Sequence, residues 1–347
     1  MKKEQLIDLL GKLGELFRAL SQDAEWPGFE IGLTEEEYQD FRELIVREHV
    51  HNPWFTKGSI QFALNSLADL LEPTVLKPFA DRYGITEKPK RVAIIMAGNI
   101  PMVAFHDVVC VLLSGHIAAC KLSSNDKHLL PAVVSVLQKW NPEFDNRIEC
   151  HQGMMKKMDA VIATGSDNAT NYFEQYFGQY PHIFRRNRTS VAILDGSETR
   201  EELENLGSDL FRYFGLGCRN VSKIFIPRDF NTDRLFEAIV GYGEIVNHHK
   251  YANNYDYNRT IYMMNSIPFL DNNFCIFKED EGLFSPLSVF FYQRYDKMEE
   301  VTQFLETNKD SIQTIVGKGF QALGQAQLPA IDDYADGIDT MAWLVKI

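Results

Sequence analysis

Paired cysteines are missing from this sequence. Its 347 residues hold five cysteines (Cys110, Cys120, Cys150, Cys218 and Cys275), an odd number with no CxxC spacing. That pattern argues against a disulfide framework and fits a reducing, cytoplasmic setting. Positive charge is also short, with 35 Lys and Arg against 48 Asp and Glu, a formal net charge of −13. Sequence-independent nucleic-acid binding needs a clustered basic face, so no nucleic-acid partner is expected. Clean apolar runs are absent as well. The longest, Pro101 to Cys120, is broken by His106, Asp107, Gly115 and His116, so a buried helix and a buried strand explain it better than a membrane span. Near the start, Leu6, Leu9, Leu10, Leu13, Leu16, Phe17 and Leu20 recur at helical spacing. Asp8, Lys12 and Glu15 interrupt any signal-peptide core there, so an amphipathic helix is expected.

Several chemistry-bearing motifs are lacking too. There is no GxxxxGK followed by Ser or Thr, and no GxSxG elbow of a Ser-His-Asp hydrolase. Gly317 and Gly319 begin a GxGxxG pattern that Gly324 does not complete. His248-His249 and His49 with His51 have no carboxylate or cysteine companions at ligand spacing, so no metal site is expected.

What is present reads as an ordinary globular chain, 45% hydrophobic and 24% charged. Residues 1–90 look mostly helical, and Thr34 with Glu37 makes a capping box. From residue 91 the texture changes to short β-branched runs alternating with helical segments. The runs are RVAIIMAG (91–98), HIAACKL (116–122), DAVIATG (159–165) and TSVAIL (189–194). Such alternation predicts βαβ units and a mostly parallel sheet covered on both faces.

A second set starts with the capping box Thr199–Glu202, and strands are expected at KIFIP (223–227), RTIYMM (259–264), NFCIFK (273–278), LSVFFYQ (287–293) and QTIVG (313–317). The reading is an α/β chain with a cofactor domain at 1–194, a catalytic domain at 195–319, and a segment 320–347 returning to the first.

Ligands of open α/β sheets bind outside the carboxyl ends of the strands. Three such ends carry polar residues: Asn99 after the first strand, Lys121 with Ser123 and Ser124 after the second, and Thr164, Gly165 and Ser166 after another. Among the cysteines, Cys110, Cys120 and Cys275 lie in apolar runs, where a thiol is a small buried hydrophobe. Cys218 differs. It follows Gly215 and Gly217 in a loop between a capped helix and a strand, where glycines admit close backbone approach and the thiol stays accessible.

GLGCRNVSKIFIP (215–227) resembles the catalytic-cysteine segment of the aldehyde dehydrogenase superfamily. MAGNIPMVAF (96–105) is similar to the segment whose Asn helps form the oxyanion hole, and LLSGHIAACKLSS (112–124) to the one whose Lys meets the adenosine ribose. ATGSDNATNYF (163–173) resembles the turn and helix that hold the pyrophosphate, and LFSPLSVFFYQ (283–293) a segment whose Phe, here Phe284, packs by the nicotinamide ribose. The resemblance implies an aldehyde-dehydrogenase-like fold of two Rossmann-like parallel-sheet domains with a helical N-terminal region. It makes Cys218 the nucleophile and Asn99 an oxyanion donor. It makes Lys121, Ser123, Thr164, Gly165, Ser166 and Phe284 contacts of a nicotinamide dinucleotide.

Two departures narrow it. Hydrolytic members carry a Glu base at about Arg185, within FRRNR (184–188), and the ribose-binding Glu would fall at about Gly282, beside Glu281. No segment matches the usual oligomerisation hairpin. The missing base and the GxGC context are similar to the fatty acyl-CoA reductases of the LuxC family. That resemblance implies NADPH-dependent reduction of an acyl-CoA or acyl-carrier thioester, with Lys121 beside Ser123 and Ser124 favouring NADPH. The expected partners are the acyl donor, and either a second copy of the chain or an acyl-donating enzyme. Lys121, Lys127, Arg185, Arg186 and Arg188 would form a positive patch for the polyanionic ligands. The alternatives are an acylating semialdehyde dehydrogenase on a short substrate, a cysteine acyltransferase or thioesterase, and a noncatalytic partner subunit.

Overall fold

The computed structural model describes residues 1–347 except Met154 and Ser166 and the side chains of Asp167 and Asn168. The chain divides into two compact units, residues 1–186 with 330–347, and residues 187–329.

The first unit opens with α1 (Lys3–Ser21), α2 (Glu35–Arg47), α3 (Lys57–Leu71) and α4 (Pro73–Asp81). The leucine stripe of α1 is buried as its spacing requires, and the Thr34–Glu37 capping box forms at the start of α2. Then follow β1 (Arg91–Ile95), α5 (Phe105–Leu113), β2 (Ile117–Lys121), α6 (Leu129–Trp140), β3 (Ile148–His151), β4 (Ala160–Thr164), α7 (Asp167–Phe177) and β5 (His182–Arg185). The sheet order is β3-β2-β1-β4-β5, with every pairing parallel. Ala93, Ala118, Ala119, Ala160 and Ala163 are wholly buried in it, as expected for strands covered on both faces. The chain runs outward from β1 to β3 and then returns to the other side of β1. The switch point therefore lies between the carboxyl ends of β1 and β4, where such folds open a crevice.

The second unit contains β6 (Thr189–Ile193), α8 (Arg200–Phe211), β7 (Val221–Pro227), α9 (Thr232–Ile239), α10 (His249–Met264), β8 (Leu270–Asp271), β9 (Ile276–Glu279), β10 (Val289–Tyr295), α11 (Met298–Asn308) and β11 (Ile312–Gly317). Its sheet runs β11-β6-β7-β10-β9-β8, parallel except for the antiparallel two-residue edge β8. A final helix, α12 (Thr340–Lys346), belongs to the first unit.

Three expectations change. TSVAIL does not close the first sheet: as β6 it lies between β7 and β11 of the second, and HIFR (182–185) takes the edge instead. The division thus falls after Arg186, not after 194. Residues 320–329 stay with the second unit because Asp209 of α8 accepts bonds from the N–H groups of Gly324 (2.6 Å) and Ala326 (2.9 Å). RTIYMM is the end of α10, not a strand. The buried Tyr251, Tyr255, Asn258 and Tyr262 recur at steps of three and four, the period of a helix.

Candidate active site

In the first unit, the carboxyl ends of three adjacent strands bring together most of the expected cofactor contacts. Ile95 at the end of β1 pairs with Lys121 on one side and Ala163 on the other, so Asn99, Lys121 and Thr164 all follow the same edge. Asn99 is exposed, in the loop that joins β1 to α5. Lys121 donates from Nζ to the carbonyl of Gln152 (2.7 Å) and, longer, to that of Leu122 (3.4 Å). Ser123 lies in the next turn, where its Oγ accepts from the Asn125 N–H at 3.2 Å. Thr164 ends β4. At Gly165 a Cβ would come within 2.8 Å of the Ala169 Cβ and 3.0 Å of the Phe173 ring, so glycine lets α7 begin directly over the strand end. Ser166, expected in the same turn, lies outside the described residues.

Arg185 is not part of a phosphate-binding patch. It is buried, and its guanidinium makes a two-pronged ion pair with the buried carboxylate of Asp107 on α5: Nη1 to Oδ2, and Nη2 to Oδ1 at 2.7 Å. Nη2 also donates to Thr340 Oγ1 of α12 at 3.0 Å. Arg188 lies beyond the division between units, where Nη1 donates to the Ile312 carbonyl at 3.1 Å. Within FRRNR, therefore, Arg185 joins three elements and Arg188 bonds into the second sheet, while Arg186 between them is exposed.

Cys218 sits in the second unit, partly exposed, in the loop between α8 and β7. Three successive residues before it have left-handed backbone: Tyr213 (φ 53°), Phe214 (φ 59°) and Gly215 (φ 82°). Only glycine adopts this freely, and each non-glycine instance costs roughly 1–3 kcal/mol unless the surroundings impose it. Here the buried Asn220 imposes it. Its Oδ1 accepts from the Gly217 N–H (2.8 Å), and its Nδ2 donates to the carbonyls of Asp209 (3.0 Å) and Arg212 (2.9 Å). Ser190 Oγ donates to the Cys218 carbonyl at 3.1 Å, beside an irregularity in β6–β7 pairing. Asn220 escaped the sequence reading; its only signal there was an Asn two positions after the framed cysteine.

The other thiols are poor nucleophiles. Burial pushes those of Cys110, Cys120 and Cys275 well above their usual value and that of Cys150 up to about 11. A thiol so raised holds its proton at neutral pH.

Phe284 is 46% exposed in the loop between β9 and β10. Consecutive residues of β7 pin that loop: Ser222 Oγ donates to the Leu283 carbonyl (2.7 Å) and Lys223 Nζ to that of Asp280. Lys223 has no exposed surface, its ammonium rests over the rings of Phe225 and Phe304, and desolvation pulls its pKa down to about 8.

Both units together define the class, an aldehyde-dehydrogenase-like α/β protein. NADP-dependent glyceraldehyde-3-phosphate dehydrogenase from Bacillus halodurans, solved with NADP, superposes with a TM-score of 0.63 at 14% identity over 91% of this chain and 74% of its own. An NAD-dependent aldehyde dehydrogenase from Sinorhizobium meliloti gives 0.64 at 11%, covering 94% and 72%. An acetylating aldehyde dehydrogenase from Geobacillus thermoglucosidasius gives 0.58 at 9%, covering 91% and 80%. No curated protein sequence matches the chain. The sequence profile of the acyl-CoA reductase (LuxC) family matches residues 33–241, more than half of the chain, and this protein belongs to that family. Asn99, Lys121, Thr164 and Cys218 fall inside the matched span, and Phe284 falls outside it. No described helix is long and apolar enough to cross a membrane.

Proposed function

We propose that this protein reduces an acyl-CoA thioester, with a fatty acyl group as the favoured class, to the aldehyde at the expense of NADPH. The observation that carries the reading is Cys218, held in a strained loop stapled by Asn220, while burial keeps the other four thiols protonated. The Cys218 thiolate attacks the thioester carbonyl, the C–S bond to coenzyme A breaks, and the acyl group stays on Cys218 as a new thioester. The family resemblance gives Asn99 and the backbone N–H of Cys218 the role of donors to the oxyanion that forms when the carbonyl is attacked.

The strand-end donors suit a polyanionic dinucleotide. They combine an ammonium, two hydroxyls, and a helix that starts over a strand end at a glycine. Lys121 and Ser123 would hold its adenosine end, Thr164 and Gly165 its pyrophosphate, and Phe284 its nicotinamide ribose. When bound, that cofactor supplies the hydride that releases the aldehyde from the acyl-enzyme.

The decisive assay is NADPH oxidation across a series of acyl-CoA lengths. Chain-length-dependent oxidation with stoichiometric aldehyde supports the reading. CoA release without any NADPH oxidation would replace it with a thioesterase or acyltransferase. Two substitutions locate the roles. Asn99→Ala should lower kcat by about 10²–10³ with cofactor affinity nearly unchanged; equal losses in both would make Asn99 only a turn residue. Lys121→Ala removes a charge-assisted bond worth roughly 1.5–3 kcal/mol, so the NADPH dissociation constant should rise about 10-fold or more, and that for NADH less. Fluorescence titrations that leave both constants unmoved would take Lys121 out of the site.

A further inference from the structure

We infer that Asp126 is a positioning residue for Asn99: its buried carboxylate holds the far end of the loop that presents the Asn99 amide. The inference rests on the reading of Asn99 as an oxyanion donor.

The loop from Met96 to Met102 is anchored at both ends to a single turn, residues 121–126. At its start the Met96 N–H donates to the Lys121 carbonyl at 3.1 Å. At its end the Met102 N–H donates to Asp126 Oδ2 at 2.8 Å, both residues buried. Between them, Gly98 lies against Ser123, where a Cβ would meet the Ser123 Oγ and come within 2.8 Å of its Cβ. Met102 has φ 56°, a conformation that a methionine adopts only under constraint. Asn99 therefore lies on a short span whose path is set by what the turn grips.

Asp126 is itself held from behind. Its N–H donates to the Ser123 carbonyl at 3.2 Å, and Asn52 Nδ2 donates to the neighbouring Asn125 carbonyl at 3.2 Å. His128 Nδ1 bonds the Glu48 carboxylate, buried at the end of α2, at 3.0 Å, and the His51 ring lies 4.3 Å from that of His128. The helical N-terminal region thus buttresses the turn.

Holding a carboxylate there is costly. Burial raises Asp126 to about 6, with the nearby Glu48 adding to the rise, and its Oδ1 is buried without a hydrogen-bond partner. An arrangement that keeps an expensive, half-satisfied carboxylate on one backbone N–H is better explained by control of that backbone than by stability.

The test is a double-mutant cycle in the full-length enzyme, read as kcat for acyl-CoA reduction, KM and the NADPH dissociation constant. Asp126→Ala should lower kcat at least 10-fold with the cofactor constant within about 2-fold. Asp126→Asn, whose amide oxygen still accepts from Met102, should restore most of kcat. Asp126→Ala on the Asn99→Ala background should cost nothing further, because Asp126 acts only through Asn99. If Asp126→Ala does not fold, Asp126→Ser supports the same comparison. Full multiplication of the two losses, or an Asn variant as slow as the Ala variant, would overturn the inference while leaving Asn99 in place. Wild-type kcat in Asn99→Ala would overturn the reading beneath it.

Discussion

Replacing Cys218 by alanine is expected to abolish aldehyde formation and to leave no trappable acyl-enzyme after incubation with radiolabelled acyl-CoA. The effect should be complete, because a thioester on the protein requires a thiol and the other four are raised by burial. Replacing any of those four should leave the labelling intact. Wild-type protein without cofactor should release one burst of CoA, stoichiometric with Cys218, and then turn over very slowly. The reason lies at position 185. Hydrolytic relatives carry a Glu base there by the resemblance above, whereas here the side chain is an arginine paired with Asp107. General-base assistance typically contributes about 10²–10⁴ in rate, so water without it remains a weak nucleophile. Full labelling of the Ala variant would remove Cys218 from its role. Rapid multiple-turnover CoA release by the wild type without cofactor would make the protein a thioesterase.

The second large effect is expected from Arg185→Glu, on stability and not on hydrolysis. From sequence alone, a Glu at this position looks like the restoration of a base. In the fold it would place a second carboxylate against buried Asp107 and remove the bond to Thr340. Breaking a buried ion pair by removing one partner costs roughly 3–5 kcal/mol, and a like charge adds to that. At a few degrees per kcal/mol, the melting temperature should fall by about 10 °C or more. Arg186→Glu, next in the chain but exposed, serves as the control and should shift melting little. Unchanged melting of Arg185→Glu with faster cofactor-free CoA release would mean that position 185 serves the acyl-enzyme after all.

These expectations separate two kinds of information. Local pattern determined a good deal unaided: the leucine stripe of α1, the capping boxes Thr34–Glu37 and Thr199–Glu202, the buried strands, and a cysteine framed by glycines before a strand. Each is written within a window of a few residues, because caps, turns and periodic faces are made by neighbours in the chain. The ordered motifs likewise pointed to the sheet edge where Lys121 and Thr164 end their strands and Asn99 follows the strand between them.

Only the tertiary structure decided which sheet β6 joins, that RTIYMM finishes helix α10, and that HIFR is an edge strand. It alone paired Arg185 with Asp107, 78 positions away, and placed the Asp126 carboxylate under the Met102 N–H and Asn220 under the Cys218 loop. The partners of Arg185 and Met102 lie far along the chain and leave no local trace, while Asn220, three residues from Gly217, leaves only an asparagine shortly after the framed cysteine. A buried charge or amide takes whatever complementary group the fold brings to it, and the free energy of leaving such a group unpaired, not any sequence spacing, selects the pair.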